Sequence, residues 1–220
     1  FLGHGEFMPT EDVALAVRKV TRVASVRILD TAFQLARSRR KQVTVVHKAN
    51  VLRVSDGLFL ECARAAAERN PDVSYEERLV DAMAALLVRN ASQFDVVVTT
   101  NMYGDILSDL AAEIAGGLGM AGSLNAGSVH AVAQAQHGSA PDIAGRDTAN
   151  PTSLVLSAAM LLRWLGQRRE EPRFEHAAQA IEASVATAVS TTETRTADLG
   201  GSMGTKAYTA LLVELINPDR

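Results

Sequence analysis

A short valine-rich strand followed at once by a helix constrains the fold of this chain most. Residues 95–99 read DVVVT, a β-branched run without polar alternation, which is typical of a strand covered on both faces of a sheet. A helical pattern follows from Tyr103. A β-branched strand at residues 43–46 and a helix over 56–69 precede it, and this alternating order indicates an α/β protein.

The remaining segments extend this pattern to both ends of the chain. Apolar spacing predicts helices over residues 12–40, 82–89, 152–166, 173–190 and 204–216, a weak strand over 74–80 and a loop-rich stretch over 116–151. The 220 residues, 47% of them hydrophobic, suffice for one large domain or two modest ones.

Composition excludes several classes of protein. A net charge of −3 gives no reason to expect a nucleic-acid partner. No apolar run reaches the ~18 residues of a membrane span, so no membrane partner is expected. The single cysteine, Cys62, allows no intrachain disulfide, which fits a cytoplasmic location.

Two carboxylates four residues apart mark the helix after the valine-rich strand. Asp105 and Asp109 fall on one face of that helix. Like charges so placed repel each other, which favours a site with a positive group between them. Mg²⁺ or Mn²⁺ binds carboxylate oxygens and keeps positions open for a substrate. The spacing therefore predicts a divalent-metal site.

Two further charged residues stand beside strands. Lys48 directly follows the strand at 43–46, a position that can face the ligand crevice of an α/β sheet. Taken alone, Lys48 also fits a solvated surface charge, and Asp81 fits a helix N-cap. Together with Asp105 and Asp109, however, Asp81 completes a set of three carboxylates that suits a metal ion.

A turn-rich loop over residues 137–145 (HGSAPDIAG) carries one imidazole and one carboxylate. An ordinary surface loop is one interpretation of it. The other is a ligand loop, because its small residues let a ligand approach the backbone closely, and Asp142 can accept hydrogen bonds from both hydroxyls of a ribose.

The order of these segments resembles the β-decarboxylating dehydrogenases, the family of isocitrate, 3-isopropylmalate, homoisocitrate and tartrate/malate dehydrogenases. The similarity runs from about residue 17 to residue 216. It is carried by HKANV at 47–51, SDGLFL at 55–60, VD at 80–81, FDVVVT at 94–99, GDILSDL at 104–110, GGLG at 116–119, HGSAPDIAG at 137–145, ANPT at 149–152, LSAAM at 156–160 and DLGG at 198–201.

The resemblance implies an isocitrate/isopropylmalate dehydrogenase-like α/β fold that is incomplete at its N-terminus. Residues 1–115 match the small central domain, which forms the dimer and carries the metal and lysine positions. Residues 116–220 match the C-terminal part of the large cofactor-binding domain. Family members carry a further N-terminal stretch, which supplies the substrate arginines, the specificity residue and the catalytic tyrosine. If the 220 residues act alone, little or no turnover is expected.

The resemblance also implies a catalytic set. Family carboxylates at the positions of Asp81, Asp105 and Asp109 bind Mg²⁺ or Mn²⁺. The lysine at the position of Lys48 assists removal of the substrate's hydroxyl proton as hydride leaves for the nicotinamide. Lys48 and Asp81 are therefore the implied catalytic residues. In the family these two enter the neighbouring subunit's site, which implies a homodimer with shared active sites.

The implied redox cofactor is NAD. The adenosine-binding positions of the family match His137, Gly138, Ser139, Ala140, Pro141, Asp142, Ile143 and Asn150. An acid at Asp142 resembles the NAD type, because a carboxylate repels the 2′-phosphate of NADP. Asn50 and Asn101 match polar positions near the substrate and the nicotinamide. Gln134 is a departure, since a glutamate commonly stands at this place.

The implied activity is metal- and NAD-dependent oxidative decarboxylation of a 2-hydroxy acid that carries a β-carboxylate. Isocitrate and 3-isopropylmalate are the leading small-molecule substrates, and tartrate/malate and homoisocitrate are less favoured. Different segments resemble different branches of the family. Residues 47–50 and 55–59 are more similar to NAD-linked isocitrate enzymes, whereas residues 80–83 are more similar to the isopropylmalate branch. The alternatives are an inactive truncated fragment of such an enzyme and a non-catalytic regulatory subunit.

Overall fold

The computed structural model of the protein describes residues 5–217. The chain forms two compact units, Phe1–Leu110 (unit 1) and Ala111–Arg220 (unit 2). The expected domains meet after residue 115, and their outermost residues, 1–4 and 218–220, lie outside the described part. The assignment of one domain to dimer formation and the other to the cofactor stays a prediction.

Unit 1 alternates strands and helices, and the predicted α/β class is confirmed. Its elements are β1 (Glu6–Thr10), β2 (Val13–Ala16), α1 (Arg22–Arg37), β3 (Gln42–His47), α2 (Ser55–Arg69), β4 (Ser74–Leu79), α3 (Val80–Asn90), β5 (Val96–Thr99) and most of α4 (Asn101–Ile114), whose last four residues belong to unit 2. The strands β4, β3 and β5 form a parallel three-stranded sheet in that order, and β1 pairs with β2 in an antiparallel hairpin.

The central strand of the parallel sheet, β3, is covered on both faces. The valine-rich strand β5 lies at an edge of the sheet with Val97 37% exposed, so the prediction that it is covered on both faces is wrong for one face. Val43 and Val45 of β3 pack in one cluster with Phe33 of α1 and Phe59 of α2. Val46, on the opposite face, packs in a second cluster with residues of α3 and α4. Since side chains alternate along a strand, this double burial fixes the register. His47 lies beside Leu79 and Val46 beside Thr99, so the carboxyl ends of the three strands meet at one edge.

The predicted helix over residues 12–40 is wrong in its first part. Residues Val13–Ala16 form strand β2, and helix α1 begins only at Arg22. Thr21 caps the helix, since its hydroxyl accepts a hydrogen bond from the Ala24 N–H at 3.3 Å. The apolar residues before this cap alternate with a period of two, which suits a strand once residues 6–10 are available for pairing.

Unit 2 is a hairpin followed by three helices. Its elements are β6 (Gly122–Ala126), β7 (Ala131–Ala135), α5 (Thr152–Arg169), α6 (Pro172–Ala188) and α7 (Thr205–Ile216). The hairpin corrects the loop-rich prediction for residues 116–151. Its glycine, alanine and serine residues have low strand propensity, and contacts with α5 compensate: the Ser157 hydroxyl accepts a hydrogen bond from the Ser123 N–H at 2.9 Å. Among the described residues, no helix is long and apolar enough to cross a membrane.

Candidate active site

Three predicted site residues follow the carboxyl ends of neighbouring parallel strands. Lys48 comes directly after β3, Asp81 lies in the first turn of α3 after β4, and Asn101 begins α4 after β5. We call these three residues the strand-end site. Ligands of open α/β sheets bind at this edge, because the loops after the strands form a crevice there.

Lys48 and Asp81 form an ion pair. The Lys48 Nζ donates a hydrogen bond to Asp81 Oδ1 at 2.7 Å, and the two side chains are 25% and 64% exposed. The hydrogen bond from Lys48 lowers the pKa of Asp81, and the residue's own backbone N–H at the helix start lowers it further. Asp81 is therefore held as a carboxylate, and the pair remains open to solvent on one side.

The buried carboxylate of Asp56 holds the backbone of the strand-end site at Lys48. Asp56 is 0% exposed, and its Oδ2 accepts a hydrogen bond from the Lys48 N–H at 2.7 Å. Its Oδ1 pairs with the Arg18 guanidinium, which also lies over the ring of Tyr103 at 5.3 Å from the centroid. Asp56 thus fixes the backbone at Lys48. The sequence places Asp56 in a family segment but gives no signal for this role.

Asn50 and Asn101 are both accessible. Asn50 is exposed in the turn after Lys48, whose C=O accepts the N–H groups of Val51 and Leu52 at 2.9 and 2.8 Å. Asn101 is exposed and lines a cavity of about 740 Å³ in unit 1, next to Thr100. Their contacts with a substrate or a nicotinamide stay predictions.

The two carboxylates that the helix spacing predicts are exposed on one face of α4. Asp105 and Asp109 lie one turn apart, while Tyr103 and Leu107 are buried. Within the described range, 5–217, no three His, Cys, Asp or Glu side chains of one chain gather as a metal site. This does not test the expected ligand set, since Asp81 is expected from the neighbouring subunit. The two carboxylates fit a hard divalent cation by donor type.

The loop expected to bind adenosine is exposed. We call residues 137–150 the nucleotide loop. His137, Gly138, Ser139, Ala140, Pro141 and Asp142 are all exposed, whereas Ile143 is half-buried. Ala140 adopts a left-handed conformation with φ 41° before the 3₁₀ turn Pro141–Ile143. A Cβ added at Gly138 would meet no atom within 4 Å, so a ligand can approach the backbone there.

Asn150 differs from the rest of the loop because it is buried. Its Nδ2 donates a hydrogen bond to Asp198 Oδ2 at 2.9 Å, and its Oδ1 accepts one from the Thr152 N–H at 3.0 Å. The second contact caps the start of α5. The side chain is therefore engaged within the protein, and the role of Asn150 at the cofactor stays a prediction.

The departure at Gln134 lies on strand β7. The residue is exposed, and its C=O accepts a hydrogen bond from the Ser157 hydroxyl at 2.7 Å. The backbone is therefore held by α5, while the side chain remains available to solvent. An uncharged amide stands where the family commonly has a carboxylate.

Comparisons with known proteins identify the family of the chain. The family model for isocitrate/isopropylmalate dehydrogenase matches residues 3–216. The chain is 42% identical over 211 residues to isocitrate dehydrogenase [NAD] catalytic subunit 5, mitochondrial, of Arabidopsis thaliana, covering 95% of this chain and 54% of the relative. It is 43% identical over 213 residues to a mitochondrial regulatory subunit of isocitrate dehydrogenase [NAD] from Dictyostelium discoideum, covering 96% and 58%.

A solved structure gives the same result for the fold. Isocitrate dehydrogenase from Methylococcus capsulatus superposes with a TM-score of 0.86 at 41% identity, covering 96% of this chain and 62% of that chain. The chain thus spans a little over half the length of the two relatives. From its sequence, its fold and these similarities, the chain belongs to the isocitrate/isopropylmalate dehydrogenase family.

Proposed function

We propose that this chain is part of a metal- and NAD-dependent dehydrogenase that oxidatively decarboxylates a 2-hydroxy acid with a β-carboxylate. The observation that carries the proposal is the Lys48–Asp81 pair, held at 2.7 Å at the carboxyl ends of β3 and β4. It places a proton-transfer group and a carboxylate where ligands of such sheets bind. Asp105 and Asp109 supply two further oxygen-donor side chains.

Proton transfer is assigned to Lys48. Its backbone is fixed through Asp56, and its Nζ is oriented by Asp81, so the side chain is positioned without losing access to solvent. In its neutral amine form Lys48 has a lone pair at Nζ, which would accept the substrate's hydroxyl proton. Asp105, Asp109 and Asp81 of the partner subunit would hold a divalent cation, which would supply stabilisation of negative charge on the substrate oxygen.

NAD is the proposed redox cofactor, and it supplies the hydride acceptor. The exposed Asp142 carboxylate of the nucleotide loop supports this choice, because it favours the ribose hydroxyls of NAD over the 2′-phosphate of NADP. The two relatives are named as NAD enzymes, which supports the same choice. A cytoplasmic location remains our proposal for this chain, resting on its single cysteine.

Isocitrate is the proposed substrate. The catalytic relative and the solved structure are both named isocitrate dehydrogenase, which favours isocitrate over 3-isopropylmalate and tartrate/malate. Because little or no turnover is expected of the 220 residues alone, this choice is tested on a form that includes the family's N-terminal stretch, by turnover assays with isocitrate, 3-isopropylmalate and malate in the presence of NAD and Mn²⁺. A clear preference for 3-isopropylmalate would overturn it.

A homodimer is the proposed assembly. The β1–β2 hairpin is exposed along both strands, and Phe7 and Leu15 lie opposite each other, 54% and 46% exposed. An unsupported two-stranded hairpin is only marginally stable in water, so a second copy is the proposed cover. Sedimentation equilibrium of the double variant Phe7→Ser/Leu15→Ser should report a monomer, whereas Val132→Ser on β7 should not change the mass.

Metal binding gives the sharpest test of the proposed function. Asp105→Asn removes a charged ligand, so the dissociation constant for Mn²⁺ should rise at least about tenfold. Glu113→Gln removes one exposed charge from the same helix and controls for the change in net charge. Calorimetric titration measures both variants. Equal affinity of Asp105→Asn and the wild type would count against the metal site.

The second candidate is a non-catalytic regulatory subunit, which the similarity to the Dictyostelium discoideum protein favours. Retention of Lys48, Asp81, Asp105 and Asp109 favours the catalytic hypothesis. Addition of the chain to a purified catalytic partner distinguishes the two. Under the catalytic hypothesis, Lys48→Met abolishes the activity that the chain contributes, whereas a purely regulatory chain is unaffected by that substitution.

A further inference from the structure

The end of the nucleotide loop is tied to a segment that follows it by about fifty residues. The Asp147 C=O accepts a hydrogen bond from the Thr205 N–H at 3.0 Å, and its Oδ1 accepts one from the Lys206 N–H at 2.9 Å. Asp198 binds Asn150 Nδ2 at 2.9 Å. We call these contacts of Asp147 and Asp198 the loop clamp.

Asp147 acts as the missing cap of helix α7. The N-terminal residues of a helix leave N–H groups without intrahelical partners, and the N-cap residue Gly204 has no side chain to satisfy them. The Asp147 carboxylate reaches them from the loop, at the positive end of the helix dipole. A Cβ at Gly204 would lie 2.7 Å from the Asp147 carbonyl oxygen, so the close approach requires glycine.

Asp198 secures the other point of the clamp. Its Oδ1 accepts a hydrogen bond from the buried Thr196 hydroxyl at 2.5 Å, while its Oδ2 holds Asn150. Thr196 thus fixes the Asp198 side chain within its own segment, and Oδ2 joins the two segments. Gly119 lies against them, since a Cβ there would stand 3.0 Å from Asp198 Oδ2 and 3.1 Å from the Asn150 Cβ.

The middle of the nucleotide loop has little support of its own. In the described part of the chain, the hydrogen bonds of residues 137–146 run within the loop, such as Ile143 N–H to the Ala140 C=O at 3.2 Å. At its start, the Gln136 N–H donates to the Ser153 hydroxyl at 3.1 Å. The conformation of the exposed residues therefore depends on the two ends, and at the second end it depends on the clamp.

From this geometry we infer that Asp147 and Asp198 are positioning residues for the adenosine half of the cofactor, an inference that rests on the proposed NAD site. They do not touch the ligand themselves. They hold residues 147–150 against residues 196–206, so that the exposed loop is ordered before the nucleotide binds. A loop that is ordered before the nucleotide arrives binds it more tightly, because less conformational entropy is lost on binding. A loop that has lost this order binds more weakly, even if every contact with the ligand is kept.

Calorimetric titration of the full 220-residue chain with ADP-ribose tests the clamp. We expect Asp147→Ala and Asp198→Ala to weaken binding about tenfold. The conservative variants Asp147→Asn and Asp198→Asn keep an acceptor oxygen and should bind within about threefold of the wild type. Glu193→Gln, which removes an exposed charge from the 3₁₀ turn Thr192–Thr194, should bind as the wild type does.

Hydrogen exchange separates positioning from a merely structural role. If the clamp aids binding, binding must in turn tighten the clamp, because coupling is reciprocal. ADP-ribose should therefore slow exchange of the Thr205 and Lys206 amide protons in the wild type, although neither residue belongs to the loop. A cap that only stabilises α7 would show no such response.

The outcomes distinguish the two proposals. If the wild type binds ADP-ribose and both alanine variants bind it equally well, with exchange at Thr205 and Lys206 unchanged, the clamp is overturned and the NAD site stands. If the wild type does not bind ADP-ribose at all, the proposed NAD site is overturned, and the clamp with it.

Discussion

The strand-end site of unit 1 and the nucleotide loop of unit 2 differ in where their support comes from. Lys48 and Asp81 follow neighbouring strands whose register brings them together, and buried Asp56 holds the backbone between the sheet and helix α2. The nucleotide loop has exposed residues with local hydrogen bonds. Its second end is held to a distant segment by Asp147, which lies in the loop, and by Asp198, which lies in that segment.

This difference determines what a substitution should disturb. At the strand ends, the supporting groups belong to the core of unit 1, so their loss should lower the free energy of unfolding. In the nucleotide loop, most residues contribute little to the fold, so substitutions there should leave stability unchanged unless they reach the clamp.

The largest effect is expected at Asp56. Asp56→Asn leaves the Arg18 guanidinium without its charged partner in a buried setting, which typically costs about 3–5 kcal/mol. Urea denaturation measures the loss. Asp30→Asn breaks the exposed ion pair with Arg69, where both side chains are more than half exposed, and should cost no more than about 1 kcal/mol. Similar losses in both variants would contradict the supporting role of Asp56.

The next effect contrasts two glycines of unit 2. Gly119→Ala places a Cβ 3.0 Å from Asp198 Oδ2 and 3.1 Å from the Asn150 Cβ, and such overpacking costs about 1–3 kcal/mol. Gly138→Ala, in the open part of the loop, should change the free energy of unfolding by less than about 0.5 kcal/mol. Equal losses in the two variants would mean that the loop supports the fold throughout.

These contrasts also show what the sequence could predict. Lys48 could be proposed because it follows a strand with a clear apolar run, and Asp105 and Asp109 because their spacing places them on one helix face. Asp81 follows a weak strand and could be proposed only together with that pair and the family resemblance. The valine-rich run could be assigned to a strand of the sheet, but not to its edge position, where Val97 is exposed. Local periodicity was sufficient wherever the site follows from regular elements.

Contacts between distant residues could not be predicted in this way. The Arg18–Asp56 pair joins residues 38 apart, and the Asp147–Lys206 contact joins residues 59 apart. Neither leaves a periodic signal in the sequence. The β6–β7 hairpin could not be predicted from the sequence for a related reason. Its strands are held by serine contacts with α5, and their own residues have low strand propensity.

A buried hydrogen bond beside the clamp should have a smaller effect. The Thr152 hydroxyl donates to the Tyr208 Oη at 3.0 Å, and both residues are fully buried. Tyr208→Phe removes the acceptor and should cost about 1–2 kcal/mol. A double-mutant cycle with Thr152→Val should give a coupling energy of about 1 kcal/mol, and strict additivity would exclude a significant bond.

The smallest effect concerns pH, at the last residue of β3. Burial lowers the pKa of His47 from 6.5, against an opposing effect of Glu77. The unfolded chain therefore binds this proton more readily than the folded one, so stability should fall as pH decreases through 6.5 and level off below the folded pKa.

The variant His47→Asn tests this dependence. It keeps an acceptor for the Ala49 N–H, which in the wild type donates to His47 Nδ1 at 3.0 Å, and it should reduce the slope of the free energy of unfolding against pH. Urea denaturation at several pH values measures it, with the exposed His130→Asn in unit 2 as the control. An unchanged slope in His47→Asn would show that this end of β3 is hydrated in solution, and that the strand-end site is less buried at its base than Asp56 indicates.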